Sequence, residues 1–321
     1  MEPMEQEINN RELVALDGMW MTYHKPAVPE QDQQVKRSTA ARVGVLFLNG
    51  LYATRAGNGG AAVRWAATLA ERGHPSFRID LPGFGDSEGE PPPDWCGYIN
   101  SGGYGTKVSG VIEEIVRRYR LPGVVVAGHC AGAVSAIYAA ALSRHCLGLV
   151  LMDPYFNMQR PDVPKFRQLL NLWSRRSRIG GVLSRMFDQM KQARLTLNGE
   201  RLPANANLKL LRCWKEVVRG GVPALILRAP SRGSAGLRPR TGEFDYLEHI
   251  LASAGQPSRV SVEVVEGSNH SFSNQQGRAA IPRLIEKWLG ATIFTDTTAT
   301  FPSAVGENVI LMPSAREGKT A

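Results

Sequence analysis

The chain lacks long hydrophobic runs, is poor in cysteine, shows no internal repeat, and over residues 154–221 carries little negative charge. Its apolar stretch from Leu121 to Ala127 is too short to cross a bilayer, so no membrane partner is expected. The opening Met-Glu-Pro-Met-Glu-Gln-Glu is acidic where a secretory signal is basic, and a cytoplasmic location is expected. Cysteines stand only at 96, 130, 146 and 213, with neither a metal-ligand spacing nor the density of a disulfide framework. Gly57-Asn-Gly-Gly60 lacks the Gly-Lys-Ser/Thr ending of a phosphate loop and the spacing of a dinucleotide fold. These absences leave no expected metal or cofactor. What is present is 321 residues, 43% hydrophobic and 21% charged, enough to bury a large core in one extended α/β domain or in a core with an insertion.

Residues Glu12 to Tyr23 read as two edge strands around the turn Asp17-Gly18. A polar stretch, Pro29 to Arg42, follows as a loop. Val43 to Leu48, Pro75 to Asp80, Leu121 to Gly128, Leu147 to Met152, Val222 to Arg228 and Val260 to Val265 then read as strands, several of them apolar throughout. Helical patterns lie between them at Gly59 to Glu71, Lys107 to Tyr119 and Ala131 to Leu142, with a closing helix at Ala279 to Leu289. This alternation predicts a mostly parallel sheet covered by helices on both faces. The core is expected over 12–153 and 222–290. Residues 153–221 offer no good strand signal but have amphipathic stretches at Phe166 to Trp173 and Leu208 to Val218, so 154–221 is expected to be an inserted helical cap over the carboxyl ends of the strands, where such sheets bind ligands. The stretch 291–321 reads as a loosely ordered tail.

Cys130 sits inside Gly128-His-Cys-Ala-Gly132, at the turn from a β-branched strand to a helix. A single cysteine is more often an inert buried residue. Here the flanking glycines permit the strained turn that lifts a nucleophile above a sheet edge, and the start of the helix beside it favours a thiolate. A cysteine nucleophile needs a base and a group to orient that base. His270 follows a predicted strand through Gly-Ser-Asn, at the same edge as Cys130. His129, inside the elbow, is expected to pack, and His24, His74, His145 and His249 stand in plain surface contexts.

Phe77-Arg-Ile-Asp-Leu-Pro-Gly-Phe-Gly-Asp-Ser-Glu-Gly89, the elbow 128–132 and Glu266-Gly-Ser-Asn-His270 together resemble the α/β-hydrolase superfamily over residues 12 to 290, with cysteine in place of its usual serine. The resemblance implies an α/β-hydrolase fold with an inserted helical cap. Many members carry an Asp after the strand matching Val222 to Arg228, but this chain has no carboxylate there until Glu243 and Asp245. Asp153, 23 residues after Cys130, ends a strand expected to neighbour the elbow strand. Gly128 to Ala133 followed by Leu149-Val-Leu-Met-Asp-Pro-Tyr155 resembles polyketide-type thioesterase domains, in which the acid stands at the position of Asp153. Asp153 can also be read as a turn cap before Pro154, and Glu243, Asp245 or a two-residue Cys-His system remain open. The oxyanion donors implied are the backbone N–H groups of Ala131 and Leu51. Asn49 either braces the Leu51 loop or caps a turn, and Asp80, Gly83, Gly85 and Asp86 match the family's structural turn.

The segment 154–221 holds 14 Lys and Arg against 4 Asp and Glu, while the whole chain has a net charge of +9. Such a field either coats a solvated face or steers an acidic partner, an acyl carrier protein or a coenzyme A thioester. No recognised module supports a nucleic-acid partner. The expected function is therefore that of a Cys130-dependent thioesterase or acyltransferase on a carrier- or coenzyme-linked, polyketide-like acyl group. Hydrolysis of small esters or lactones, a cyclisation or lyase step, and a non-catalytic scaffold are the rival classes.

Overall fold

The computed structural model describes residues 10–27, 43–50, 53–158, 194–197, 200–203, 205–230, 244–253 and 259–293. Strands β1 (Arg11–Leu16) and β2 (Met19–His24) pair antiparallel around Asp17 and Gly18, which both take positive φ, as a two-residue hairpin turn requires. Five strands run parallel beside them: β3 (Gly44–Leu48), β4 (Ser76–Ile79), β5 (Val124–His129), β6 (Cys146–Met152) and a later strand at Ala224–Arg228. Every residue of these five is buried, which explains their apolar runs without alternation. Alternate side chains enter opposite layers. Val124 and Val126 join one core, with Leu149 and Leu151, while Val125 and Ala127 join the other, with Val150 and Met152.

The second of those layers is filled by α1 (Ala61–Glu71), whose Trp65, Ala66 and Leu69 are buried, and by a closing helix at Gln275–Trp288. The first is filled by α2 (Trp95–Asn100), α3 (Gly105–Tyr119) and α4 (Ala131–Ala140). Helix α4 is buried on all sides, in keeping with its Ala- and Ile-rich sequence.

The expected cap region differs from its reading. Strands β7 (Arg194–Leu197) and β8 (Glu200–Pro203) form an antiparallel hairpin in a region read as free of strands. Helix α5 (Leu208–Arg219) agrees with the helix read at Leu208 to Val218, but it buries Leu210, Leu211, Trp214, Val217 and Val218 in the same core as α4. It is thus the crossover helix between β6 and β9 (Ala224–Arg228), so part of 154–221 packs as sheet-covering core. The Met158 N–H donates to the Asn205 carbonyl at 2.6 Å, beside the Asn157–Ala206 bridge. The helix read at Phe166 to Trp173 lies outside the described residues.

After α6 (Tyr246–Ser253), β10 (Val260–Val264) adds to β9 in parallel and α7 (Gln275–Trp288) closes the fold. The sheet has eight strands in the order β1-β2-β4-β3-β5-β6-β9-β10, with β5 at its centre. Ile293 is buried and reaches the Gly148 position of β6, so the first residues of the expected loose tail dock on the sheet. Among the described residues no helix is long and apolar enough to cross a membrane.

Candidate active site

Strand β5 ends at His129 and α4 begins at Ala131, leaving Cys130 as the single residue of the turn. Its φ of 52° and ψ of −112° lie in a region that side chains rarely adopt. The turn is held on several sides. The Cys130 N–H donates to the Met152 carbonyl at 2.9 Å, and its own carbonyl accepts from Ala133. A side chain at Gly132 would run into the Leu48 carbonyl, and one at Gly128 would meet Ala133. Glycine is therefore required on both sides of the elbow by close backbone approach. The Ala131 N–H is in the first turn of α4 and has no acceptor within the helix, so it is available to an anion.

His270 lies on the loop between β10 and α7. Asn269 and Asn274 shape that loop: Asn269 Oδ1 accepts from the Ser273 N–H at 3.0 Å, and Asn274 donates to the Gly267 carbonyl while capping α7 at Gly277. His270 Nδ1 lies 2.9 Å from Asp153 Oδ2, and its ring has the Cys130 thiol as a neighbour. A carboxylate accepts, so Nδ1 donates and Nε2 is the nitrogen left for the thiol. Its bond to Asp153, then the neighbouring Cys130 thiol, push the imidazole up to about 10. Asp153 follows β6, next to β5 in the sheet, and its side chain is fully buried. Its other oxygen accepts from the Ala229 N–H at 3.0 Å. His270 is thus hydrogen-bonded to Asp153 and has the Cys130 thiol as a neighbour. Asp245 instead accepts from the Glu248 N–H at the start of α6, and Glu243 lies outside the described residues.

His129 does more than fill space. Its Nε2 lies 2.8 Å from the His270 carbonyl, an acceptor, so His129 is the neutral ring with Nε2–H donating. Burial, then the His270 charge, pushes it down to about 4 and keeps it neutral. The elbow's own strand therefore holds the backbone of the histidine that faces its thiol.

Asn49 Nδ2 donates to the Thr54 carbonyl at 2.8 Å, bracing the loop after β3. A side chain at Gly50 would approach His129 at 3.1 Å and Cys130 at 3.3 Å, so this loop packs against the elbow. Leu51, the second expected oxyanion donor, lies outside the described residues.

A model of the alpha/beta hydrolase family matches residues 45–281, more than half of the chain. This protein belongs to the alpha/beta hydrolase family. The architecture of this family member is also similar to TT1662 from Thermus thermophilus, with a TM-score of 0.53, 21% identity, and coverage of 87% of this chain and 97% of that one. A thioesterase domain from the curacin biosynthetic pathway is similar at a TM-score of 0.51 and 15% identity, over 86% of this chain and 98% of its own. At such identities the likeness is one of fold. The search of curated proteins finds no match.

Two residues beside the site of this hydrolase-family chain escaped the sequence reading. Burial, then the Cys130 and Cys96 thiols, push the Tyr155 phenol up. Burial, then Asp94 and Cys130, push the Cys96 thiol up. Tyr155 follows Asp153 by two residues, a strand-end spacing that could have flagged it. Cys96 is on α2, too short to show a period. His24 is a correction: it is buried rather than on a plain surface, because β2 lies between β1 and β4, and it accepts from Arg78 Nε at 2.9 Å. His145 pairs with Glu113 at 2.6 Å, at the opposite end of the sheet.

Proposed function

We propose that this protein is a cysteine-dependent acyl-transfer enzyme, a thioesterase or acyltransferase acting on a thioester. The observation that supports the reading is the strained Cys130 at a helix start, beside a histidine that is hydrogen-bonded to Asp153. The thiol proton resides on His270 Nε2, and Cys130 Sγ attacks the acyl carbonyl from that pair. The N–H of Ala131, with that of Leu51 as the expected second donor, holds the oxyanion. Collapse of the tetrahedral adduct breaks the bond to the leaving thiolate, which receives the proton from His270, and leaves an acyl group on Cys130. His270 then removes a proton from water, an alcohol or an amine, which takes the acyl group and frees the thiol. Asp153 holds the imidazole in the tautomer these steps need.

A thiol nucleophile suits a thioester substrate, because exchange of one thioester for another is nearly balanced in free energy. The intermediate then persists for an acceptor other than water. The 14 Lys and Arg of 154–221 would attract an acidic acyl carrier protein or coenzyme A. The test is intact-mass measurement with short acyl pantetheine thioesters. An adduct of acyl mass is expected on the wild type and none on Cys130→Ala. An adduct that persists in that variant overturns the assignment of the nucleophile, and turnover of simple esters at rates equal to matched thioesters overturns the thioester preference.

A further inference from the structure

Helix α2 runs beside the elbow. Its first residue, Trp95, and the first residue of α4, Ala131, line one hollow with room for about one water molecule, so the two helix starts lie close together. The other end of α2 is fixed to α4 as well. There the Asn100 carbonyl accepts from the Tyr138 hydroxyl at 2.6 Å and from Asn207 Nδ2 at 2.8 Å. Cys96 and Cys130 each stand one residue from the shared hollow, on opposite sides of it. The two thiols are neighbours, and the buried Tyr155 phenol has both of them as neighbours in turn. Both are half-buried, within reach of a small solute. The other two cysteines are set elsewhere. Cys146 pairs with Val124, at the end of β5 away from the elbow, and its thiol turns to the Gly148 carbonyl at 3.5 Å. Cys213 lies on α5, with Glu216 and Lys209 as its charged neighbours.

We propose that Cys96 is a resolving thiol for Cys130: a peroxide oxidises the nucleophile, and the two cysteines then close a reversible disulfide that stops acyl transfer and spares Cys130 from further oxidation. The proposal rests on the acyl-transfer reading for the reactive thiolate alone, and adds to it a redox modification site. Cys130 has the two features that favour a thiolate, a helix start and a protonated imidazole beside it. Its sulfur attacks one peroxide oxygen. The S–O bond forms as the O–O bond breaks, the sulfur loses two electrons, and the departing hydroxide takes the proton of His270 to become water. Cys96 Sγ then attacks the sulfur of the Cys130 sulfenic acid. The S–S bond forms, the S–O bond breaks, and the hydroxide leaves with the Cys96 proton as a second water. Two thiols and one peroxide thus give one disulfide and two waters. The first step prepares the second: burial, Asp94 and the Cys130 charge hold Cys96 protonated, and the sulfenic acid no longer carries that charge. A dithiol reopens the bond by exchange.

The experiment treats the full reduced chain with hydrogen peroxide at neutral pH. Intact mass, peptide mapping without reduction, iodoacetamide labelling of Cys130 and thioester turnover are read before and after dithiothreitol. The wild type is expected to lose about 2 Da, to yield a linked peptide pair holding Cys96 and Cys130, and to lose labelling and turnover by about tenfold or more, both restored by dithiothreitol. Cys96→Ser is expected to keep its untreated rate but to gain about 32 Da at Cys130 under the same treatment, with a loss of turnover that dithiothreitol does not restore. Peptide mapping of the wild type needs no variant, so it decides even where Cys96→Ser fails to fold. Oxygen gained on Cys130 without the linked pair, or a link from Cys130 to Cys146 or Cys213, overturns Cys96 as the resolving thiol, while adducts from acyl thioesters leave acyl transfer standing. A Cys130 that takes up neither oxygen nor an acyl group overturns both.

Discussion

Two aspartates end parallel strands of this sheet, both buried and both bound to a cationic side chain, yet they are set up for different work. Asp80, after β4, is saturated by fixed partners: it accepts from the Arg55 N–H, from the Arg55 guanidinium and, at 3.2 Å, from the Asp86 N–H, while Gly85 leaves no room between them. Arg55 is held again by Asp86 at 2.7 Å. Through Arg55 that network runs on to Thr22, Arg78 and His24, without touching Cys130 or His270. Asp153, after β6, spends one oxygen on the Ala229 N–H and the other on His270, a ring that has a half-buried thiol as a neighbour. A closed carboxylate network stabilises the loop that contains it. An open one transmits its orientation to a reacting atom.

The sharpest way to break this comparison is Asp153→Asn. The amide keeps an oxygen for Ala229 but offers an N–H toward His270 Nδ1, which favours the tautomer with Nε2 protonated and facing the thiol. A loss of roughly 1,000- to 10,000-fold in kcat/KM for a thioester is expected, together with a lower unfolding midpoint near neutral pH, where the His270 bond contributes to stability. A near-normal rate would move the orienting role away from Asp153. The reciprocal change, Asp80→Asn, is expected to remove about 3 kcal/mol of stability by breaking a buried ion pair, while the folded protein keeps its rate within a few-fold. Urea unfolding together with kcat/KM checks both parts. A large loss of rate in a stable Asp80→Asn protein would make the Asp80 network part of the active site.

The contrast was only partly legible in the sequence. Fully apolar runs marked the central strands, because a sheet covered on both faces buries every residue. The Asp153–Cys130 relation followed from adjacency, since consecutive strands β5 and β6 pair directly. The Asp80 turn was read as architectural, and its saturation by Arg55 agrees with that. Other features left weaker traces. Helices α2 and α6 span six and eight residues, too few turns for an apolar period to stand out. The β7–β8 hairpin had a signal, Asn198-Gly199 between alternating residues, which a helical reading of the insert obscured. His129 was expected to pack, but its bond to the His270 carbonyl joins residues 141 positions apart and has no local signature. The hollow beside the elbow is equally non-local, because Asn49, Ile79, Trp95 and Ser135 meet only in three dimensions.

The smallest effects are pH linkages, in which the two neighbouring histidines run in opposite directions. His270 is raised from 6.5 to about 10, chiefly by its bond to Asp153. Its contribution to stability is therefore full below about pH 6.5 and is lost as the pH rises toward 10. His129 is lowered to about 4 by burial, and His24 to about 3 by burial and then Arg78. Their contributions are full above about pH 6.5 and are lost as the pH falls toward 4 and 3. Urea unfolding from pH 4 to 10 is expected to show both limbs. His129→Gln flattens part of the acid limb and leaves the share of His24. Asp153→Asn flattens the alkaline limb, because it removes the main cause of the raised imidazole. Asp80→Asn lowers the whole curve but keeps the alkaline limb, because its network does not reach His270. An Asp80→Asn protein without that limb would mean that the two carboxylate networks act as one, and the distinction between a closed and an open aspartate would fail.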